Sequence, residues 1–162
     1  LELKTMDRAI ITWDPDVVRF REVGKSRHPV LRSTGYFAIL AARLDEAADV
    51  WHDLELLFIG DAFTERLAKQ VVAQRPAYDR ISGRMKSRPG KELIVMLGEQ
   101  TGTTLKRVTR GFTDDVLRCL VVRHEPPCNE SYTGPYDGRK ISVINRGDFR
   151  PLKPKCLLRP EI

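Results

Sequence analysis

The sequence has few cysteines and no long apolar run. Three cysteines, at positions 119, 128 and 156, are too few and too widely spaced for a disulfide framework, so we expect reduced thiols. His124 and Cys128 have no second pair at ligand spacing, which argues against zinc. No apolar run approaches the roughly 18 residues that a membrane-spanning helix needs. The start, LELKTMDRA, shows no signal-peptide pattern, so we expect an intracellular, cytoplasmic protein without a membrane partner.

The composition predicts a folded basic domain. The chain has 162 residues, of which 41% are hydrophobic and 31% charged, a mixture typical of one domain with a core. The net charge is +6 and the isoelectric point is near 9.4. This excess favours an acidic partner, of which nucleic acid is the commonest.

The first third of the chain is rich in predicted strands. AIITW and VVRFREV flank Asp-Pro-Asp, which predicts an N-terminal hairpin over residues 8–23. Residues 34–44 and 54–60 are apolar runs typical of strands. The acidic segment 45–53 between them fits a loop or a short helical insertion.

Helical patterns follow Gly60. Apolar residues recur at every fourth position, at Phe63, Leu67 and Val71, which predicts a helix with Asp61 as N-cap and an end near Pro76. A second helix is possible over residues 77–87.

The second half repeats the alternation of strand and helix. Residues 91–100 predict a strand and residues 112–124 a helix, with Thr113 as N-cap and Phe112 and Leu117 as a hydrophobic staple. Residues 139–162 predict a C-terminal hairpin and tail, with a turn at residues 145–148. Interleaved strands and helices indicate an α+β or α/β class.

The order of these pieces carries a family resemblance. Gly35-Tyr36-Phe37 opens one strand and Phe58-Ile59-Gly60 closes the next. A helix bearing Arg66 follows, then a third strand, then a helix that runs into HEPPCN at residues 124–129. Over residues 34–129 the sequence resembles the GIY-YIG nuclease domain. The resemblance implies an α+β, three-layer domain with a central antiparallel or mixed sheet flanked by helices.

The resemblance also implies which residues would form the site. In that family a tyrosine acts as base, a second tyrosine and a lysine lie nearby, an arginine stabilises the phosphate charge, a glutamate binds one divalent metal, and an asparagine completes the site. In this sequence Arg66 and Asn129 match the arginine and the asparagine. The other four positions, in the same order of roles, fall on Phe37, Phe58, Asp61 and Leu117.

A cleft with these residues would be degenerate. We expect Phe37, Phe58 and Leu117 to line one concave surface that also holds Arg66, without metal and without efficient cleavage. Tyr36 does not replace Phe37, because neighbouring strand residues point to opposite faces. If the protein were an active, divergent endonuclease, Asp114 would be the displaced carboxylate for Mg²⁺, one helical turn from Leu117.

A basic stretch at residues 75–91 adjoins this cleft. With Arg66 and Lys69, it predicts a patch that binds phosphates without reading sequence. The patch residues in the stretch are Arg80, Arg84, Lys86, Arg88 and Lys91. Tyr78 is the one aromatic residue in the stretch, so base stacking on single strands is not indicated. A solvated helix and loop explain the same charges.

We therefore predict a nucleic-acid-binding domain, with DNA as the favoured partner and an inactive nuclease cleft. Two alternatives stay open. One is a divergent Mg²⁺-dependent endonuclease that cleaves phosphodiester bonds. The other is a protein-interaction domain without a role on nucleic acid.

Overall fold

The computed structural model describes residues 6–73 and 75–161, without the side chains at 75 and 76. Residues 1–5, on which the signal-peptide expectation partly depended, lie outside that range. Within the described residues, seven strands and three α-helices follow one another along the chain: β1 (Asp7–Trp13), β2 (Val18–Arg19), β3 (Gly35–Asp45), β4 (Val50–Ala62), α1 (Leu67–Ala73), α2 (Arg75–Met85), β5 (Glu92–Thr103), α3 (Arg110–His124), β6 (Ile141–Gly147) and β7 (Lys155–Leu158). Short 3-10 helices cover Phe20–Glu22 and Pro29–Arg32.

The described strands form one mixed sheet, which confirms the α+β class. The strand order is β4-β3-β5-β1-β6-β7, with β2 also paired to β5. All pairs are antiparallel except β1 with β6, which is parallel. The sheet therefore contains strands from outside the predicted core at residues 34–129. These are β1 and β2 before the core and β6 and β7 after it.

Helices cover both faces of the sheet. Alternate β3 residues Tyr36, Ala38 and Leu40 pack in one core cluster with residues of α3. Phe37, Ile39 and Ala41 pack in a second cluster with residues of α1 and α2. We call these two sides the α3 face and the α1–α2 face. Burial on both faces explains why residues 34–44 form an almost unbroken apolar run.

The predicted N-terminal hairpin at residues 8–23 is wrong. β1 and β2 do not pair with each other, because both lie antiparallel to β5, with Trp13 opposite Gly98 and Val18 opposite Val95. Asp-Pro-Asp interrupts the strand without reversing it. The Asp14 carboxylate accepts the Asp16 N–H at 2.8 Å, and the Asp14 N–H donates to β5 at Leu97 O.

The β3–β4 connection and the start of α1 also differ from expectation. The segment 45–53 is largely strand, because β4 begins at Val50 and only residues 46–49 form the turn. Asp61 lies within β4 and is not an N-cap. α1 begins at Leu67, and Arg66 lies just before it, where its carbonyl accepts the N–H groups of Lys69 and Gln70.

α3 begins earlier than the sequence predicted. Thr109 is its N-cap and accepts the Phe112 N–H at 3.2 Å, so Thr113 lies inside the helix. Because the N-cap is Thr109, Phe112 lies inside the helix and not before the N-cap, so the predicted staple of Phe112 with Leu117 is wrong. Leu117 packs against the core on the α3 face. β6 and β7 pair antiparallel as a C-terminal hairpin. The predicted turn at residues 145–148 is wrong, because Asn145 lies within β6 and the connection runs through residues 148–154.

The described helices and thiols add two facts. None of these helices has the length and apolar content needed to span a membrane. Cys119, Cys128 and Cys156 are buried, free thiols.

Candidate functional site

The two motif strands lie side by side. β3 and β4 pair antiparallel, with Phe37 opposite Gly60 and Ile39 opposite Phe58. The Phe37 and Phe58 rings lie 5.9 Å apart between centroids, on the α1–α2 face with Leu67. A Cβ at Gly60 would collide with the Phe37 ring. Packing therefore explains the glycine without any ligand.

Leu117 does not join these phenylalanines. It packs on the α3 face, while Phe37 and Phe58 belong to the α1–α2 face, so the predicted concave surface that unites them is wrong. The physical reason is that α3 covers the opposite side of the sheet. Arg66 is exposed and precedes Leu67, which is buried on the α1–α2 face.

Asn129 fastens the chain to the edge strand β4. Its Oδ1 accepts the Ile59 N–H at 2.9 Å, and its Nδ2 donates to Ile59 O at 2.8 Å. The Cys128 N–H donates to Leu57 O at 2.9 Å. An edge strand presents unpaired backbone groups, and this segment satisfies three of them. Asn129 thus has a structural role.

A cleft of about 360 Å³ lies where β3 begins and β4 ends. Its lining includes Gly35, Tyr36, Phe63, Gln100 and Thr113. The Tyr36 hydroxyl donates to Gln100 Oε1 at 3.4 Å. At the rim, Arg110 lies 3.3 Å from Asp61 Oδ2 and 3.1 Å from Asp114 Oδ1. Tyr36, Asp61 and Asp114 thus lie close together in the structure. The family resemblance did not predict this grouping.

The charges around this cleft do not suit nuclease chemistry. Burial raises the pKa of Tyr36, and the negative charge of Asp61 raises it further, whereas a tyrosine base needs a lowered pKa. Burial also raises the pKa of Asp61. Arg110 pairs with Asp114 at 3.1 Å and lies 3.3 Å from Asp61 Oδ2, so a guanidinium cation lies beside both carboxylates. Asp61 Oδ2 is buried without a hydrogen-bond partner, as a hard oxygen ligand for Mg²⁺ would be, but the Arg110 cation beside both carboxylates opposes a second cation there.

Three of the cations predicted to bind phosphate are paired with carboxylates. Lys91 is 8% exposed and lies 3.5 Å from Asp53 and 3.7 Å from Glu55. Arg88 binds Glu55 through two hydrogen bonds, of 2.6 and 3.1 Å. Lys69 pairs with Glu65 at 3.2 Å. These three cations are less available to a ligand than their sequence suggested.

An open groove of about 490 Å³ holds Arg80 and Arg84 of α2. It lies between α2 and residues 127–128. None of the described residues that line the groove is acidic. The lining residues are Arg80, Gly83, Arg84, Ser87, Arg88, Pro127 and Cys128. We call this feature the arginine groove. Arg80 donates from Nε to Cys128 O at 2.9 Å, which fixes its guanidinium beside exposed Arg84.

The arginine groove and the cleft are separate places. Cys128 at the groove bonds Leu57, whereas Ala62 lines the cleft. Five residues of strand at about 3.3 Å each place these points roughly 16 Å apart. Arg66 belongs to the cleft end, because its neighbour Leu67 donates its N–H to Ser33 O at 2.9 Å and Ser33 lines the cleft.

One further cluster was missed from the sequence. Ligand atoms of Asp14, Asp16 and His28 lie within 4.8 Å of one another. His28 Nδ1 accepts the Val30 N–H at 3.2 Å, so the neutral ring carries its proton on Nε2, 3.3 Å from Asp14 Oδ1. The hydrogen bond from His28 Nε2 to Asp14 Oδ1 explains why these two side chains lie close together. The cluster therefore joins residues 14–16 to residues 28–30 through hydrogen bonds.

No protein-family model, no curated protein and no solved structure matches this chain. The site must therefore be interpreted from its own side chains.

Proposed function

We propose that the protein binds the phosphate backbone of nucleic acid, DNA in particular, through the arginine groove, and that it does not cut its ligand. One observation carries the proposal. Three arginines line an open groove whose described lining contains no carboxylate. Arg88 of the groove and Lys91 outside it have acidic partners, whereas Arg80 and Arg84 form no ion pair among the described residues, so the unpaired positive charge of the groove lies on these two arginines.

The arginines of the groove differ in what they offer. Arg80 uses Nε to bond Cys128 O, and its two terminal nitrogens face no other described hydrogen-bond partner. Arg84 is exposed. Arg88 is committed, because Nε and Nη2 bind Glu55 while Nη1 donates to Ser87 Oγ at 2.8 Å. A guanidinium fork matches a phosphate group, so Arg80 and Arg84 are the primary ligands, with exposed Lys86 beside them.

The absence of cleavage is supported by the residues at the motif positions and by those around the cleft. Phe37 and Phe58 carry no hydroxyl, Tyr36 holds its proton, and Arg110 lies beside the available carboxylates. A degenerate GIY-YIG origin is part of the same proposal. It is supported by the antiparallel pairing of the two motif strands and by Arg66 beside the α1–α2 face, and opposed by Leu117 on the other face.

Binding titrations with labelled duplex DNA, single-stranded DNA and RNA at several salt concentrations test this function. Each phosphate contact releases counterions, so two or three contacts should give a slope of log K against log salt of about −2 to −3 on duplex. No binding to any of these ligands at low salt would overturn the proposal. The protein-interaction alternative would then explain the basic surface.

A further inference from the structure

Gly83 has no structural reason to be glycine. It lies inside α2, where glycine is the least favourable residue after proline. A Cβ built at Gly83 meets nothing within 4 Å, whereas one at Gly60 or Gly98 would collide with neighbouring side chains. The backbone of Gly83 does not have the positive φ that favours glycine elsewhere in the chain. Neither packing nor conformation therefore accounts for it.

The position of Gly83 suggests a ligand instead. Gly83 lines the arginine groove with Arg80, Arg84 and Ser87, and residues three and four apart share one face of a helix. Without a side chain at 83, the bare helix backbone forms the floor between Arg80 and Ser87. A glycine at such a place allows a ligand to approach the backbone closely.

We propose, resting on the proposed function, that one phosphodiester group of a DNA duplex seats over Gly83 of α2, where the missing side chain leaves room for it. The N–H groups inside a helix already bond within the helix, so the arginines supply the hydrogen bonds. The Arg80 and Arg84 guanidinium groups flank it. Ser87 limits the site but does not donate to the phosphate, because its hydroxyl already donates to Arg84 O at 3.0 Å.

The groove favours a duplex over a single strand. None of its described lining residues is aromatic, and Tyr78, the aromatic residue of α2, packs edge-on against Phe20 with ring centroids 4.9 Å apart. Binding to single strands depends largely on stacking of bases on aromatic side chains. A surface of arginines without such platforms suits the regular phosphates of a duplex.

Two substitutions at Gly83 test the seat. Gly83→Ala and Gly83→Gln both place a good helix former in open space, so Tm should rise by about 2–4 °C. Affinity for duplex DNA at low salt should nevertheless fall, by about threefold for alanine and about tenfold for glutamine, the latter equal to about 1.4 kcal/mol. A fall in affinity with a rise in Tm cannot come from unfolding.

Gly24→Ala is the matched control, because a Cβ there also meets nothing within 4 Å and Gly24 lies outside the arginine groove; its affinity should equal that of the wild type. If the wild type binds duplex DNA and Gly83→Gln binds it equally well, the seat is overturned and the proposed function stands. If the wild type binds no nucleic acid, both are overturned. Tighter binding to single strands than to duplex would contradict the assignment of the ligand.

Discussion

The carboxamide of Asn129 pairs with both backbone groups of Ile59, 70 positions earlier in the chain, through hydrogen bonds of 2.9 and 2.8 Å. It takes the place of a neighbouring strand at the edge of β4. The same segment supplies Cys128 O, which accepts from Arg80 and so fixes one wall of the arginine groove. Asn129 therefore supports the groove through the fold and not through contact with a ligand.

Removing this clamp should destabilise the protein. Ile59 is fully buried, so Asn129→Ala leaves its N–H and C=O without partners and should lower the free energy of unfolding by about 1–3 kcal/mol. Denaturant unfolding measures the loss. Glu130→Ala, at the exposed neighbouring position, is the control and should change stability by less than about 0.5 kcal/mol. An equally small effect of Asn129→Ala would show that the clamp contributes nothing.

The buried carboxyl of Asp61 makes stability depend on pH. Burial raises its pKa, opposed by Arg110 and reinforced by Asp114. A raised folded-state pKa means that the stabilising effect of protonation is complete below the unfolded pKa of about 3.9 and is lost as pH rises through the folded value. Asp61→Asn should therefore have a higher Tm than the wild type at pH 7, and the difference should vanish below about pH 4.

Two opposing effects decide the Tm of Asp61→Asn at pH 7: the lost ion pair with Arg110 and the relieved desolvation of the carboxylate. Arg110 is 55% exposed, so its ion pair with Asp61 should contribute little, and the desolvation of Asp61 should dominate. Thermal melts of both proteins from pH 3 to pH 8 make the comparison. A lower Tm of Asp61→Asn at pH 7 would mean that the ion pair outweighs the burial.

Local sequence predicted the strands and helices better than their partners. The unbroken apolar run of β3 predicted a strand, and its alternation placed Tyr36 and Phe37 on opposite faces, as the structure has them. Asp-Pro-Asp has the chemistry of a turn, but β1 and β2 both bond β5, and nothing within residues 8–23 encodes that distant partner.

The candidate site shows the same limit. The family resemblance placed Leu117 at the position of the metal-binding glutamate, yet residue spacing does not tell which face of the sheet a helix covers. Arg80 and Arg84 are four positions apart, a spacing that places both on one face of a helix, and both line the arginine groove. The ion pair of Glu55 with Arg88 joins residues 33 positions apart, so the sequence could not show that one predicted phosphate ligand is already occupied.

Glu55 should act as a competitor of the ligand. Its hydrogen bonds with Arg88 hold the pKa of Glu55 below its usual value, so it is ionised at pH 7. Glu55→Gln removes that charge and frees Arg88, and the slope of log K against log salt should steepen by about 0.9, one phosphate contact. Glu46→Gln, the same change at an exposed position in the β3–β4 turn, should leave the slope unchanged. If Glu55→Gln binds duplex DNA no more tightly than the wild type, Glu55 does not keep Arg88 from the phosphate.

Restoring the motif residues should not restore cleavage. Phe37→Tyr with Leu117→Glu returns a phenol and a carboxylate, but the two positions lie on opposite faces of the sheet and cannot act on one phosphate. Incubation of the wild type and the double variant with plasmid in Mg²⁺ and in Mn²⁺ should give no cleavage above background. Cleavage by the wild type that disappears in Arg66→Ala would contradict an inactive cleft.

The decisive measurement for the arginine groove compares two double variants of equal charge. Arg80→Gln with Arg84→Gln removes the proposed phosphate ligands, while Lys25→Gln with Arg27→Gln removes two exposed cations elsewhere. If the two arginines each neutralise one phosphate, the groove variant should flatten the salt slope on duplex DNA by about 1.8. The loss should be the same for unrelated DNA sequences, because phosphate contacts carry no base information. The control lowers only the long-range attraction, which salt of about 0.1 M screens beyond about 10 Å. Equal losses in the two variants would mean that net charge alone, and not the groove, attracts the nucleic acid.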